Sequence, residues 1–216
     1  MGKAQRNVAV GTPFTQTFGG LGAGTFTDNS TLTGWYLNSG SITLNDGTDG
    51  TPGPYVFRLA GQRAFGGVGD GTTLGWRVRN NSATTVQCIR VTYTGEQWRV
   101  GESGGAVGTL DFAYSTGSTV TSLSGGFTAV GGLTFTSPQT NPTCGAGGAA
   151  LNGNLPANQG AVTHLITGLN IPAGEEIMLR WTTTGPGGCA GHGLGVDAVT
   201  VETFSLDTPP VTSPPH

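Results

Sequence analysis

The sequence predicts an all-β fold: two antiparallel sheets packed as a jelly-roll sandwich, without significant helix. Three observations point there. About ten to twelve short runs alternate apolar and polar residues, the period-2 signature of strands with one face on a core. Turn residues separate these runs at regular spacing. Glycine supplies 40 of the 216 residues, far above the roughly 7% of ordinary proteins, and has no three-residue period that would indicate collagen. No run carries the 3.6-residue apolar spacing of an amphipathic helix.

Residues 1–12 read as a flexible N-terminal arm, 13–205 as a single domain, and 206–216 as a proline-rich linker ending DTPPVTSPPH. Phe14–Phe18 is the first alternating run. A glycine hinge follows, then Gly34-Trp35-Tyr36-Leu37 as an aromatic strand entering the core. Asn45–Pro54 holds two Asp-Gly pairs and two prolines, the chemistry of a surface loop. Tyr55–Leu59 is a short strand, and Arg63–Gly71 reads as a glycine loop. Its GGVGDG lacks the strand–loop–helix context and the lysine of a phosphate cradle. Thr73–Arg79 alternates with Leu74, Trp76 and Val78 inward and Arg77 and Arg79 outward. Past the Asn80-Asn81-Ser82 turn, Ile89, Val91 and Tyr93 form the core face of a strand that runs on into Thr94–Arg99. Leu110, Phe112 and Tyr114 alternate next, then Leu133 and Phe135. The Asn152-Gly153 turn precedes a strand over Ala161–Ile166.

Two strands close the domain. In one, Ile177, Leu179 and Trp181 oppose Glu176, Met178 and Arg180. The other begins near Leu194 and turns Val199 and Val201 inward. Simple alternation puts Asp197 on that inward side, where a carboxylate requires a hydrogen bond or an ion.

A formal net charge of −3 and scattered arginines leave no basic stripe, which excludes nucleic-acid binding on electrostatic grounds. No apolar run approaches the ~20 residues of a membrane helix. MGKAQRNVAV has no hydrophobic core of a signal peptide. Scarce charge with abundant threonine, glycine and asparagine is nevertheless the composition of secreted bacterial β-proteins. The expectation is an extracellular or cell-surface protein whose export signal is not part of this sequence, with a cytoplasmic protein as the alternative. Cys88 lies in a strand and reads as a packing residue. Cys144 and Cys189 lie in glycine-rich loops; in an exported protein they read as a disulfide, and in a reducing compartment as two free thiols.

Seven segments taken in order carry a resemblance. They are Gly34-Trp35-Tyr36, Arg63-Ala64-Phe65-Gly66, Tyr93–Arg99 (YTGEQWR), Leu133–Pro138, Ala150–Asn158, Ile171–Trp181 (IPAGEEIMLRW) and His192–Val201 (HGLGVDAVTV). Together they resemble the jelly-roll domain of secreted bacterial proteins, found beside endonuclease/exonuclease/phosphatase or lamin-tail domains or with a C-terminal sorting signal. The resemblance spans roughly Phe14 to Phe204 and implies a non-catalytic surface or carbohydrate-binding-like module. It also implies a calcium site, with Asp197 as a metal ligand. Here the chain departs from the pattern: Thr182–Ala190 has no carboxylate, Ala198 stands where a second acid is usual, and Gln16 stands where an acid is common. Calcium takes six to eight oxygens.

The candidate binding residues are Glu96, Trp98, Arg99, His192 and Asp197. Glu96, Trp98 and Arg99 read either as a polar-aromatic binding patch or as a structural corner in which Glu96 pairs with an arginine such as Arg63. His192 reads as a ligand group or as a partner of Asp197. His164 sits mid-strand, exposed or satisfied. Asp46 and Asp49 could bind calcium, although an Asp-Gly turn needs no ion. There is no nucleophile elbow, no HExxH, no metal-spaced His/Cys cluster and no glycosidase motif around the carboxylates, so no enzyme is expected. Two functions remain. One is a module binding a carbohydrate or other surface component. The other is a self-assembling subunit of an extracellular layer or filament, with Val8–Phe18 as a strand donated to a neighbour.

Overall fold

The computed structural model describes residues 6–145, 147–185 and 191–205. Its first eight strands are β1 (Arg6–Val8), β2 (Phe14–Gln16), β3 (Gly24–Thr25), β4 (Trp35–Leu37), β5 (Ser41–Asn45), β6 (Gly53–Leu59), β7 (Gln62–Val68) and β8 (Thr73–Asn80). Then come β9 (Cys88–Val100), β10 (Thr109–Gly117), β11 (Thr128–Ala129), β12 (Phe135–Thr136) and β13 (Ala149–Ala150). The last three are β14 (Gln159–Ile166), β15 (Glu176–Thr184) and β16 (Gly193–Phe204). Single 3-10 turns at Gly131–Leu133 and Pro156–Asn158 are the helical content of the described residues.

The strands form two sheets packed as the expected sandwich. The seven-stranded sheet runs β1-β8-β15-β10-β11, with β4 also on β8 and β12 also on β10. The nine-stranded sheet runs β13-β9-β16-β7-β6-β5-β3, with β14 also on β9 and β2 also on β16. Two short pairings depart from the antiparallel expectation: β1 with β8, and β5 with β6, are parallel. Arg63–Gly71, expected as a loop, is mostly β7. Its glycines read as a turn in sequence, but Phe65 and Ala64 keep the alternation and bury opposite faces.

The inward faces are those the alternation predicts. Leu74, Trp76 and Val78 of β8, Ile177, Leu179 and Trp181 of β15, and Ile89, Val91 and Tyr93 of β9 lie in one buried cluster between the sheets. Trp35 stacks against Trp76 at 5.5 Å and against Trp181 at 5.7 Å, with planes within 15°. Offset stacking of this kind adds to the area each ring buries.

The outer faces are also largely covered. Outside the seven-stranded sheet, Arg77 forms a two-pronged ion pair with Glu176 (2.6 and 2.7 Å), which also accepts from the Val120 amide. Arg180 donates to the Leu123 carbonyl and sits 3.9 Å over the Phe127 ring. The segment between β10 and β11 is thereby tied down over the arginines expected to face solvent. Part of the stretch expected as an arm is docked too. β1 pairs with β8, Val8 is buried, and Arg6 lies over Phe14. Val8–Phe18, expected as a strand for a neighbouring copy, is used within its own chain by β1 and β2. Residues 1–5 and the 206–216 linker lie outside the described residues.

Cys88 is a buried free thiol, as its packing role requires. Cys144 is not among the free thiols, Cys189 lies outside the described residues, and no disulfide joins two described cysteines.

Candidate functional site

The exposed face of the nine-stranded sheet holds the site, and β9 builds most of it. Even-numbered residues of β9 turn outward, so Thr94, Glu96 and Trp98 share that face while Tyr93 and Val91 enter the core. β14 pairs along β9 and sets Gln159 opposite Glu96. β16 runs along the other side, with Gly195 opposite Glu96 and Asp197 opposite Thr94.

The register of β16 then slips: Asp197 pairs with Thr94 but Thr200 pairs with Thr92. One extra residue is accommodated at Ala198, which takes a left-handed φ of 49°. A β-bulge of this kind flips the parity of the strand. Val196 and Val199 both face the core, and Asp197 is turned outward into the site. The expectation that Asp197 lies inward beside Val199 and Val201 is therefore corrected. The bulge amide of Ala198 donates to Asp197 Oδ1 at 2.7 Å.

Six residues converge on a pocket of about 210 Å³: Gln62 from β7, Thr94 and Glu96 from β9, Asn154 from a turn, Gln159 from β14 and Asp197 from β16. Gln159 donates to the Asn154 carbonyl at 3.2 Å and closes one wall. Glu96 is 3% exposed; its Oε2 accepts from the Trp98 indole at 2.8 Å. Burial, opposed by that hydrogen bond and reinforced by the charge of Asp197, pushes the Glu96 carboxyl up to about 7. Burial also raises Asp197, against the pull of the Ala198 amide.

Trp98 is not an exposed platform. It is fully buried in a second apolar cluster with Tyr55, Phe57, Ala64 and Val68, stacked on Phe57 at 5.8 Å. Two loops roof it. Gly153 lies against its indole and Gly47 (φ 95°) against its backbone carbonyl, and a Cβ at either position would collide. Arg99 holds this roof by donating to the Gly47 and Thr48 carbonyls at 3.0 Å. Asp46 and Asp49, in the same roof, spend their carboxylates on local donors: Thr48 for the first, Thr51 and Tyr55 for the second.

Two expected pairings are absent. Glu96 pairs with Trp98 rather than Arg63, whose guanidinium donates to the Leu21 carbonyl. His192 does not meet Asp197. Immediately before β16 its imidazole lies against the 101–106 segment, where Nδ1 accepts from the Gly101 amide (3.1 Å) and Nε2 donates to the Ala106 carbonyl (3.2 Å). Gln97 Nε2 also lies 3.0 Å from Nδ1. Burial lowers the His192 pKa.

Of the five candidates, Glu96 and Asp197 meet in the pocket, while Trp98 and Arg99 support it from beneath and beside. His192 lies elsewhere. Gln62, Thr94, Asn154 and Gln159 complete the pocket and were not singled out in the sequence. Thr94 shared a readable parity with Glu96, but the register that brings the other three is set by long-range pairing. Among the described residues no three His, Cys, Asp or Glu side chains group together; beside Asp197 the pocket offers one further carboxylate, Glu96, with amide and hydroxyl oxygens around them.

No protein family matches the sequence, and no curated protein is similar to it, so nothing ties the chain to the secreted module its motifs resemble or to that module's neighbouring domains. Solved structures of similar strand arrangement include the CBM22-1 xylan-binding domain of Paenibacillus barcinonensis Xyn10C, at 9% identity and TM-score 0.43, covering 92% of this chain and 98% of that one. The K3 cleaved adhesin domain of Lys-gingipain from Porphyromonas gingivalis is similar at 14% identity and TM-score 0.46, covering 88% and 98%. The xylan-binding module CBM15 is similar at 12% identity and TM-score 0.40, covering 86% and 100%. Likeness at this level carries no argument about a ligand.

Proposed function

We propose that the chain is a non-catalytic module, working outside the cell or at its surface, that binds a carbohydrate in the pocket of Gln62, Thr94, Glu96, Asn154, Gln159 and Asp197. The observation that supports this is the convergence of two carboxylates, three amides and a hydroxyl on one small cleft. Such groups accept and donate in the plane, as adjacent sugar hydroxyls require, and they offer nothing to an apolar ligand. At about 210 Å³ the cleft is smaller than the roughly 300 Å³ at which small-molecule pockets begin, which suits one sugar ring or a chain end. The non-catalytic reading rests on the sequence, in which no glycosidase motif surrounds these carboxylates.

Affinity electrophoresis and calorimetry against a panel of soluble polysaccharides test the reading. The expected result is binding to at least one polysaccharide, weakened about tenfold by Gln159→Leu, the value of one hydrogen bond to a buried site. Absence of binding across the panel overturns it.

A further inference from the structure

We infer that the sugar taken by this pocket is cationic: a protonated amino sugar, with its ammonium between Glu96 and Asp197. The inference rests on the carbohydrate reading above and deepens it. The charged groups lining the cleft are both acids, Glu96 on β9 and Asp197 on β16. The groups facing them from β7, β14 and the Asn154 turn are neutral amides, and Thr94 is a hydroxyl. Nearby arginines are committed elsewhere: Arg63 to the Leu21 carbonyl, Arg99 to the Gly47 and Thr48 carbonyls, Arg90 to Glu202. The protein therefore leaves the negative charge of the cleft uncompensated.

Glu96 makes the case specific. The residue is 3% exposed, its Oε2 is taken by the Trp98 indole, and no described side chain or amide donates to Oε1, which is left to the cleft. A carboxylate so largely buried beside a second acid is costly to ionise, and the cost falls when a charged donor arrives. Burial and the neighbouring acid already push this carboxyl toward its neutral form, as the missing counter-charge requires. A uronic acid or other anionic sugar would add a third negative charge. A neutral sugar supplies hydroxyl donors but no charge. An ammonium supplies both, with three N–H groups and a charge-assisted hydrogen bond to each acid.

Calorimetry on the full chain decides this near pH 7, where Glu96 can give up its proton to a bound cation, with glucosamine oligosaccharides compared against the same oligosaccharides after N-acetylation. Only the charge and the amide differ between the two. The expected result is at least about tenfold tighter binding of the amine form, weakening with added salt. Asp197→Asn and Glu96→Gln, near in shape and checked for folding by their melting temperatures, should each reduce the preference. Equal or tighter binding of the acetylated form overturns the inference and leaves the carbohydrate reading standing. Calcium chloride that binds alone and is needed for either sugar also overturns it, by assigning the positive charge to a metal. No binding of either form overturns it as well; the carbohydrate reading falls with it only if the polysaccharide panel is also negative.

Discussion

Glu96 and His192 are both buried and ionisable, and they pull the stability of the molecule in opposite directions with pH. The Glu96 carboxyl is raised from 4.5 to about 7, so the folded state holds its proton more tightly than the unfolded chain. Its contribution is present below pH 4.5 and is lost as pH rises through about 7. His192 is lowered from 6.5 by burial, against the backbone carbonyl of Ala106, which favours the charged ring. That contribution is present above pH 6.5 and is lost as pH falls below it. Thermal melts across mildly acidic to mildly basic pH should show Glu96→Gln gaining on the wild type as pH rises, by on the order of 1–3 kcal/mol. His192→Asn, whose Oδ1 can still accept from Gly101, should flatten the acid side instead. Variant and wild-type curves that run parallel would mean neither group titrates as described. Trp98 belongs to the same account. Its indole gives Glu96 one hydrogen bond, so a residue with no exposure still shapes the pocket.

Among the strands, β16 shows what local pattern can and cannot carry. Its alternation is readable up to Val196 and again from Val199, and the core faces of β8, β9 and β15 are legible for the same reason: large apolar residues recur every second position. Between those two stretches of β16 lies one extra residue that no turn chemistry announces. The side on which Asp197 lies is therefore opposite to the one simple alternation assigns. β9 shows a second limit. Trp98 lies on the face that alternation assigns to solvent, and it is buried because Gly47 and Gly153 bring remote loops over it. Glu96 and Asp197 were legible as chemistry, whereas their meeting depends on the pairing of β9 with β14 and β16. The bulge itself can be tested. Ala198 holds a left-handed backbone that costs an alanine roughly 1–2 kcal/mol. Ala198→Gly should raise stability by about 0.5–1 kcal/mol, the strain relieved less the added freedom of the unfolded chain. A loss of stability, measured by denaturant melts, would place Ala198 in ordinary strand geometry.

At the scale of the whole molecule, the end of the sandwich beside the 101–106 segment is where a covalent tie belongs. Ser103 and Gly105 bond the Asn141 carbonyl on one side, and His192 bonds Ala106 on the other. These contacts bring Asn141 and His192, each three positions in sequence from a cysteine, to the same segment. A Cys144–Cys189 disulfide with Cys88 free is the expected state in an oxidising compartment. Closing a loop of about 45 residues should stabilise the fold by roughly 3–4 kcal/mol. Peptide mapping without reduction checks it: alkylated Cys144 and Cys189 recovered from native protein would refute the bond. The placement of β16 has a further consequence, for how the molecule comes into being. These 12 residues end the described domain, yet they lie between β9 and β7 and also hold β2. Until they are made, the facing edges of β9 and β7 have no partner, and the pocket lacks one of its two acids. A sandwich that closes through such distant pairings folds slowly. The N-terminal portion of this domain therefore cannot complete its nine-stranded sheet as it leaves the ribosome; that sheet closes only when the last strand arrives between β9 and β7.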